Sequence, residues 1–300
     1  MTIKVTFLGT GAQIPTSKRH HPAILLRYKK ENILIDCGEG TQTQFRKAKL
    51  NPCKLTRILI THIHGDHVFG LPGLFSTLSS NDYNKTLFIY GPVGVKKLIK
   101  GIIKVFNLKI EYKIKIKEIS GHTRFLDEEE FYLESESMKH GVPCNAYCFV
   151  KKGLRRIDKE KLKKFKLPSG PYLKKLKQGK DIFVNGRKYS FKNLTFVEKD
   201  VKISIVMDTL YNRKIIPFVK NSDLLISESS FGHELKEQAK KHHHLTAKQV
   251  GIIAKKSNSK KLILTHISHR YEKDMDFILN QAKKEFKKSF LAKDLDSFEV

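Results

Sequence analysis

Thr61-His62-Ile63-His64-Gly65-Asp66-His67 follows directly on the apolar run Ile58-Leu59-Ile60. Three imidazoles and a carboxylate crowded onto a loop that leaves a strand serve no packing need. They suit metal binding. Imidazole nitrogen and carboxylate oxygen are both good Zn²⁺ ligands, and two clustered sets of them can hold two cations side by side. Single histidines and HxH pairs are common in many settings, but HxHxDH behind a β-run is much rarer by chance. The segment points to a metal-dependent hydrolase.

Further ligands for such a centre must come from far along the chain. His140 follows a polar, strand-like stretch, Asp208 ends the apolar run Ser204-Ile205-Val206-Met207, and His266 ends Leu262-Ile263-Leu264-Thr265. Each is weak alone, since a strand-end His or Asp is commonly a cap or a surface residue. One internal echo joins two of the sites: Ile58-Leu59-Ile60-Thr61-His62-Ile63 resembles Leu262-Ile263-Leu264-Thr265-His266-Ile267. Two halves that each present a histidine at a strand end can build one site between them. A second cluster, His242-His243-His244, reads as a polar loop before a helix or as an adventitious metal site.

The elements that must position these residues alternate between strand and helix. Ile3–Leu8 reads as a strand, followed by the pair Gly9 and Gly11, which reads as a tight turn. It lacks the third glycine of a dinucleotide loop and has Pro15 where a helix would begin. Residues 23–27 and 32–35 form a hairpin pattern. A helix is expected over 41–49, a strand over 57–61, and a helix opening at Leu71-Pro72, with proline in its first turn. Further strands are expected over 87–90, 110–117, 188–197, 202–207, 223–227 and 261–265. Helices follow over 246–256, capped by Thr246, and over 276–288. Hairpins early and βα units later suggest two sheets sandwiched between helices.

The chain has 300 residues, 40% of them hydrophobic with 19 Phe, and 58 Lys and Arg against 30 Asp and Glu, a formal charge of +28. That length allows one large domain or two small ones, and the excess charge points to a polyanionic partner, nucleic acid first and an anionic membrane surface second. A lysine-rich genome or a thermophile surface would explain the lysines but not the shortage of acids. Cys37, Cys53, Cys144 and Cys148 include no CxxC, and the pair Cys144/Cys148 lacks a matching pair, which argues against a zinc knuckle. Buried reduced thiols in a cytosolic protein are expected. The N-terminus has no apolar leader and no stretch approaches 18 apolar residues, so a cytoplasmic protein without membrane association is expected. Residues 151–180 carry thirteen Lys and Arg against only Asp158 and Glu160. This basic segment is inserted between the His140 and Asp208 positions.

Taken together, these motifs resemble the metallo-β-lactamase superfamily and, within it, the tRNase Z family of tRNA 3′-processing endoribonucleases in its short form. The likeness runs nearly end to end. It includes Phe7-Leu8-Gly9-Thr10-Gly11 with Pro15 and Arg19, Asp36-Cys37-Gly38-Glu39-Gly40-Thr41-Gln42, and the HxHxDH loop with Gly70-Leu71-Pro72-Gly73-Leu74. It continues through His140, Asp208-Thr209, Glu228, His244-Leu245-Thr246-Ala247, and Thr265-His266 with Arg270-Tyr271. The resemblance implies an αββα sandwich of the α/β class, a single domain over 1–300 with the basic arm 151–180 inserted in it. It implies two zinc ions per subunit, with manganese or iron able to substitute. His62, His64 and His140 would hold one; Asp66, His67 and His266 the other; Asp208 would bridge. Asp66 would also act on the attacking water, His244 would help protonate the leaving 3′ oxygen, and Glu228 would orient His244. His242 and His243 would be bystanders. Met207 departs from the glycine the family more often has before the bridging aspartate.

The arm, with its Ser169-Gly170-Pro171-Tyr172 turn, resembles the tRNA-gripping arm of the family, and Arg155, Arg156, Lys163, Lys164, Gly170, Pro171, Lys174, Lys175 and Lys177 would contact substrate. Basic groups on phosphates give affinity without sequence reading, which suits recognition of tRNA by shape. The expected activity is removal of the 3′ trailer of precursor tRNA, leaving a 3′-hydroxyl on the tRNA and a 5′-phosphate on the trailer. The family usually forms homodimers in which one subunit's arm serves the other's site. Two alternatives stand beside this reading: another hydrolase of the superfamily acting on a small phosphodiester, thioester or lactam, which would not need the arm; and a non-catalytic RNA-binding protein, which would not need a filled ligand set.

Overall fold

The structure, a computed structural model, describes residues 2–300. The described chain divides into two compact units, residues 2–126, 133–149 and 202–300 in one and residues 127–132 and 150–201 in the other.

In chain order the strands of the first half are β1 (Lys4–Gly9), β2 (Ala23–Tyr28), β3 (Glu31–Ile35), β4 (Arg57–Leu59), β5 (Leu87–Gly91) and β6 (Ile114–Glu118). Next come β7 (Thr123–Asp127), β8 (Phe131–Met138) and β9 (Cys144–Lys151), then the short β10 (Arg155–Ile157), β11 (Ile182–Val184), β12 (Arg187–Tyr189) and β13 (Thr195–Val197). The chain closes with β14 (Val201–Val206), β15 (Leu224–Glu228), β16 (Leu262–Thr265), β17 (Ser289–Leu291) and β18 (Ser297–Glu299). One seven-stranded sheet has the order β18-β1-β2-β3-β4-β5-β6, the other β17-β16-β15-β14-β9-β8-β7.

The strands that carry the site are apolar on both faces, the mark of a sheet covered on both sides. Leu25, Leu34, Ile58 and Ile89 pack under the helices Leu71–Ser79 and Val95–Val105 through Leu71, Leu74, Phe75, Leu78, Val95 and Ile99. Their alternate neighbours face the second sheet, where the Tyr147 hydroxyl donates to the Ile60 carbonyl (2.7 Å) and the Tyr28 and Phe149 rings lie 5.7 Å apart. On the far side, helices Ala247–Lys256 and Met275–Glu285 bury Val250, Ile253, Ala254, Ile278 and Ala282. The expected αββα sandwich is therefore the observed architecture of this unit. Thr246 caps its helix in a reciprocal capping box with Gln249.

β3 through β6 are parallel, as are β14 through β17. In parallel sheets functional groups collect at the carboxyl ends of strands, and here β3 leads to Asp36, β4 to His62, β14 to Asp208, β15 ends on Glu228 and β16 leads to His266. The two echoed segments are thus β4 and β16, one in each sheet. The sheets are tied beside these ends by a parallel bridge between Gly11 and Ile267, whose N–H donates to Thr10 O (3.1 Å).

The loops after β3 and β4 are zipped together. Cys37 N donates to His67 O (2.8 Å) and Gly70 N to Cys37 O (2.9 Å). A Cβ on Gly70 would overlap the Gly38 carbonyl, so glycine is required there for close backbone approach.

The second unit has its own small core of Leu162, Leu167, Leu176, Ile182 and Leu194, covered by Ile157, Tyr172, Leu173, Val184, Tyr189 and Phe191. The basic segment expected over 151–180 is part of it, and the unit runs on to Val201. The strand expected over 188–197 is interrupted: β12 ends at Tyr189, one helical turn covers Phe191–Leu194, and β13 follows. Asp181 accepts from Phe191 N (3.1 Å), which fixes that turn. β11 and β12 form a hairpin around Asn185-Gly186, both at positive φ (50° and 74°), as a tight hairpin turn needs.

Two glycines separate packing from propensity. Gly70→Ala should destabilise the protein by roughly 1–3 kcal/mol through overpacking. Gly101→Ala, mid-helix with nothing within 4 Å of its Cβ position, should stabilise by about 0.5–1 kcal/mol. Thermal denaturation of the two variants should give midpoint shifts of opposite sign.

Candidate metal centre

His62 Nε2, His64 Nδ1 and His140 Nε2 converge, with His64 Nδ1 at 3.0 Å from the first and 3.1 Å from the third. Beside them lie His67 Nε2, His266 Nε2 and Asp66 Oδ2: the two nitrogens are 3.3 Å apart, and the carboxylate oxygen is 3.4 Å from His67 and 3.5 Å from His266. Asp208 stands between the trios. Its Oδ2 is 3.8 Å from His62 Nε2, 3.9 Å from His140 Nε2 and 3.6 Å from His67 Nε2; its Oδ1 is 3.2 Å from His266 Nε2. All seven residues named from the sequence come together.

Hydrogen bonds on the outer side of the rings decide what faces inward. His67 Nδ1 lies 2.7 Å from Asp36 Oδ2, and His140 Nδ1 lies 3.1 Å from the His243 carbonyl, so both donate there. The Thr61 hydroxyl gives its proton to Asp36 Oδ2 (2.8 Å) and can only accept from His62 Nδ1 (3.1 Å). The Ser230 hydroxyl gives its proton to Glu228 Oε2 (2.6 Å) and accepts from His266 Nδ1 (2.8 Å). In each neutral ring the proton is spent outside, and Nε2 presents a lone pair to the centre. Bare lone pairs ~3 Å apart repel one another, and His64 Nδ1 can share a proton with only one of its two neighbours. Asp208 Oδ1 is buried with no hydrogen-bond donor. The donor set therefore fits cations, which would satisfy every one of these atoms.

The electrostatics agree. Burial, the largest influence on Asp66, acts to raise its pKa, but the His266 and His67 rings outweigh it and hold the carboxyl below its ordinary range. Asp208 is likewise lowered: burial opposes ionisation, and His266, His67 and His244 overcome it. Burial, then the neighbouring His67, lowers His62; burial also lowers His140. His67 moves the other way, because Asp36 and Asp208 outweigh burial. With Nδ1 already donating to Asp36, the further proton they favour would sit on Nε2, the place a cation would take instead.

Glu228, fully buried, accepts from Thr209 N (2.9 Å), Leu245 N (3.1 Å) and Ser230 Oγ, and both its oxygens lie 3.1 Å from His244 Nδ1. Burial acts against charge on His244, but Glu228 and Asp208 outweigh it and raise the ring to about 9. The pair is an imidazolium held by a carboxylate. Together with Asp66, His140, Asp208 and His266, His244 lines a cleft of about 520 Å³.

Three contributors were not named as site residues from the sequence. Asp36, at a positive φ of 57°, holds His67 directly and His62 through the Thr61 hydroxyl, Ser230 holds His266, and the His243 carbonyl holds His140 from a φ of 57°. Asp36 lies within the Asp-Cys-Gly-Glu-Gly stretch that marked the family resemblance, the one signal pointing to it. His242 stacks on Phe231 at an interplanar angle of 7°. Met207 is buried, and Asp208 beyond it keeps its position among the histidines.

Of the arm residues named from the sequence, Lys163, Lys164, Pro171, Lys174, Lys175 and Lys177 are exposed and Gly170 is half-buried. The two arginines are engaged within their own unit: Arg155 lies 4.7 Å from the Phe191 ring and donates to Thr195 Oγ1 (3.0 Å), and Arg156 Nε donates to Glu198 (2.9 Å). All four cysteines are free, and Cys37, Cys144 and Cys148 are buried. Among the described residues no helix is long and apolar enough to cross a membrane.

Residues 3–104 match the family profile described as anti-Pycsar protein Apyc1. Over nearly its whole length the chain is similar to the ribonuclease Z of Nanoarchaeum equitans, at 40% identity over 98% of this chain and 92% of the relative. The ribonuclease Z of Oceanobacillus iheyensis is 35% identical over 99% of this chain and 100% of its own. Among solved structures, the short form of human tRNase Z superposes with a TM-score of 0.73 at 27% identity, covering 98% of each chain. On the strength of these matches and the site geometry, the chain belongs to the ribonuclease Z family.

Proposed function

We propose that the chain removes the 3′ trailer of precursor tRNA with a pair of zinc ions, His62, His64 and His140 holding one, Asp66, His67 and His266 the other, and Asp208 shared. The observation that carries this reading is the inward-facing lone-pair set, with Asp208 standing between the trios and its Oδ2 within 3.6–3.9 Å of His67, His62 and His140. Manganese or iron would suit the same donors. When bound, such cations would supply Lewis acidity toward a phosphoryl oxygen and lower the pKa of water.

The chain's own groups do the rest. Asp66, ionised and at the cleft wall, orients the attacking water and accepts its proton. As the water oxygen bonds to phosphorus, the bond from phosphorus to the 3′ oxygen breaks. The His244 imidazolium gives that oxygen its proton, leaving a 3′-hydroxyl on the tRNA and a 5′-phosphate on the trailer. Glu228 keeps Nδ1 of His244 occupied, so the proton available for transfer is the one on Nε2.

The exposed lysines of residues 163–177 provide phosphate contacts that read shape rather than sequence. Arg155 and Arg156 would add to these contacts, Arg156 from an exposed position beside Glu198 and Arg155 from its place against the Phe191 ring. The exposed apolar end of helix Val95–Val105, with Val105 and Phe106, supports a homodimer. Three buried free thiols support residence in a reducing cytoplasm. The reading as a small-ester hydrolase leaves the arm without a task, and the binding-only reading leaves the centre without one.

Precursor tRNA incubated with and without a chelator, with the ends mapped at nucleotide resolution, tests the whole. Cleavage after the discriminator base should vanish with chelator and with Asp66→Ala; processing that survives Asp66→Ala would favour binding alone. Replacing Leu154–Lys199 by a short glycine link, across the neck where Gly153 N donates to Asp200 (2.7 Å), should lower kcat/KM on precursor tRNA by roughly 10²-fold or more through lost phosphate contacts. Its effect on a small phosphodiester should be far smaller, and equal losses would remove the arm from the mechanism. His244→Ala should slow RNA cleavage by about 10²–10⁴-fold. It should cost much less on a nitrophenyl phosphodiester, whose leaving group needs no proton. Equal losses on the two would rule out the general acid.

A further inference from the structure

Two phenylalanines line the cleft, and they are used differently. Phe231 is 6% exposed and covered: His242 stacks on it and the Arg270 guanidinium lies 5.0 Å from its centroid. Phe69 is 64% exposed. A lone exposed apolar side chain needs no explanation in general, but Phe69 is held in place. It follows the one-turn helix Gly65–Val68 that carries Asp66 and His67, and its N–H donates to Gly65 O (2.8 Å). Its ring lies across Gly65 so closely that a Cβ there would overlap it. The next residue, Gly70, is bonded to Cys37 O (2.9 Å). A rigid segment thus presents an open aromatic surface in the wall of the same cleft as the metal-capable clusters.

We propose that Phe69 is a stacking platform for an unpaired nucleobase flanking the scissile phosphodiester, a positioning role that rests on the nuclease reading above. Bases next to a cut bond must lie within a nucleotide's reach of the cluster, and unpaired bases stack on exposed aromatic rings with about 1–3 kcal/mol each. A phenyl ring carries no hydrogen-bonding group, so it accepts any base. That suits an enzyme whose substrates differ in discriminator and trailer sequence. A stacked base would fix the adjoining phosphate against the clusters without reading its identity.

The chain contains no tryptophan, so Phe69→Trp introduces a single indole as reporter. In the metal-loaded variant, binding of a precursor tRNA made uncleavable by a methylphosphonate at the cut should quench indole fluorescence. The quench should be lost when one of the two nucleotides flanking the cut is made abasic. Phe69→Ala should lower kcat/KM on precursor tRNA by roughly 5–150-fold, the equivalent of one stacked base. Activity should return with Trp or Tyr at this position but not with Leu, which restores bulk without a π-face. Full activity in Phe69→Leu, or a fluorescence change indifferent to both abasic sites, would overturn the platform. Failure of the wild-type enzyme to cut precursor tRNA would instead sink the nuclease reading, so the two outcomes remain separable.

Discussion

The architecture answers to one electrostatic constraint: the Nε2 atoms of His62, His67, His140 and His266, whose ring protons are given away on the outer side, crowd within about 3 Å of another ring nitrogen and are best relieved by positive charge between them. Such a cluster is costly in an empty protein and stable around cations. The protonation pattern is set by Asp36, Thr61, Ser230 and the His243 carbonyl, so these four residues matter to the centre as much as the ligands do. Removing any one would free a ring to turn or to change tautomer. The carboxylates complete the balance: burial works against their charge, and the surrounding imidazoles restore it.

Holding that arrangement demands stiff backbone. The groups sit at the carboxyl ends of parallel strands that are covered on both faces, where neither strand can slide without exposing apolar side chains. Asp36 and His266 hold positive φ values of 57° and 55°, an uncommon conformation for residues with a Cβ and one that persists only where the surroundings impose it. The zipped loops after β3 and β4, with glycine at 38 and 70, supply that imposition on one side. The Gly11–Ile267 bridge supplies it on the other.

Much of this was legible in the residues. The HxHxDH loop, the strand-end His140, Asp208 and His266, and the echo between β4 and β16 rest on period and type, which survive without coordinates. Thr246 revealed its helix because a capping box is a local device. The outer hydrogen bonds were not legible: serine, threonine and a backbone carbonyl have no characteristic spacing, and their roles arise only when the strands are brought side by side. The basic segment was plain from charge as far as residue 180. Its continuation to 201 was not, because the turn at Phe191–Leu194 depends on Asp181 reaching across from ten residues away. Strands β17 and β18, three residues each, were too short to stand out. Helix Val95–Val105 was legible, with Val95, Leu98, Ile99, Ile102 and Ile103 at helical spacing, yet it was passed over.

His67 and His266 meet at 3.3 Å although 199 positions separate them along the chain. A ribosome must therefore deliver nearly the whole polypeptide before His266 can join His67. Until then a nascent chain offers only an incomplete donor set, with Asp208 and His266 still to come. On the proposed reading of the centre, the hydrolytic power of the finished enzyme would be withheld during its own synthesis, when the messenger and the translating tRNAs lie within reach.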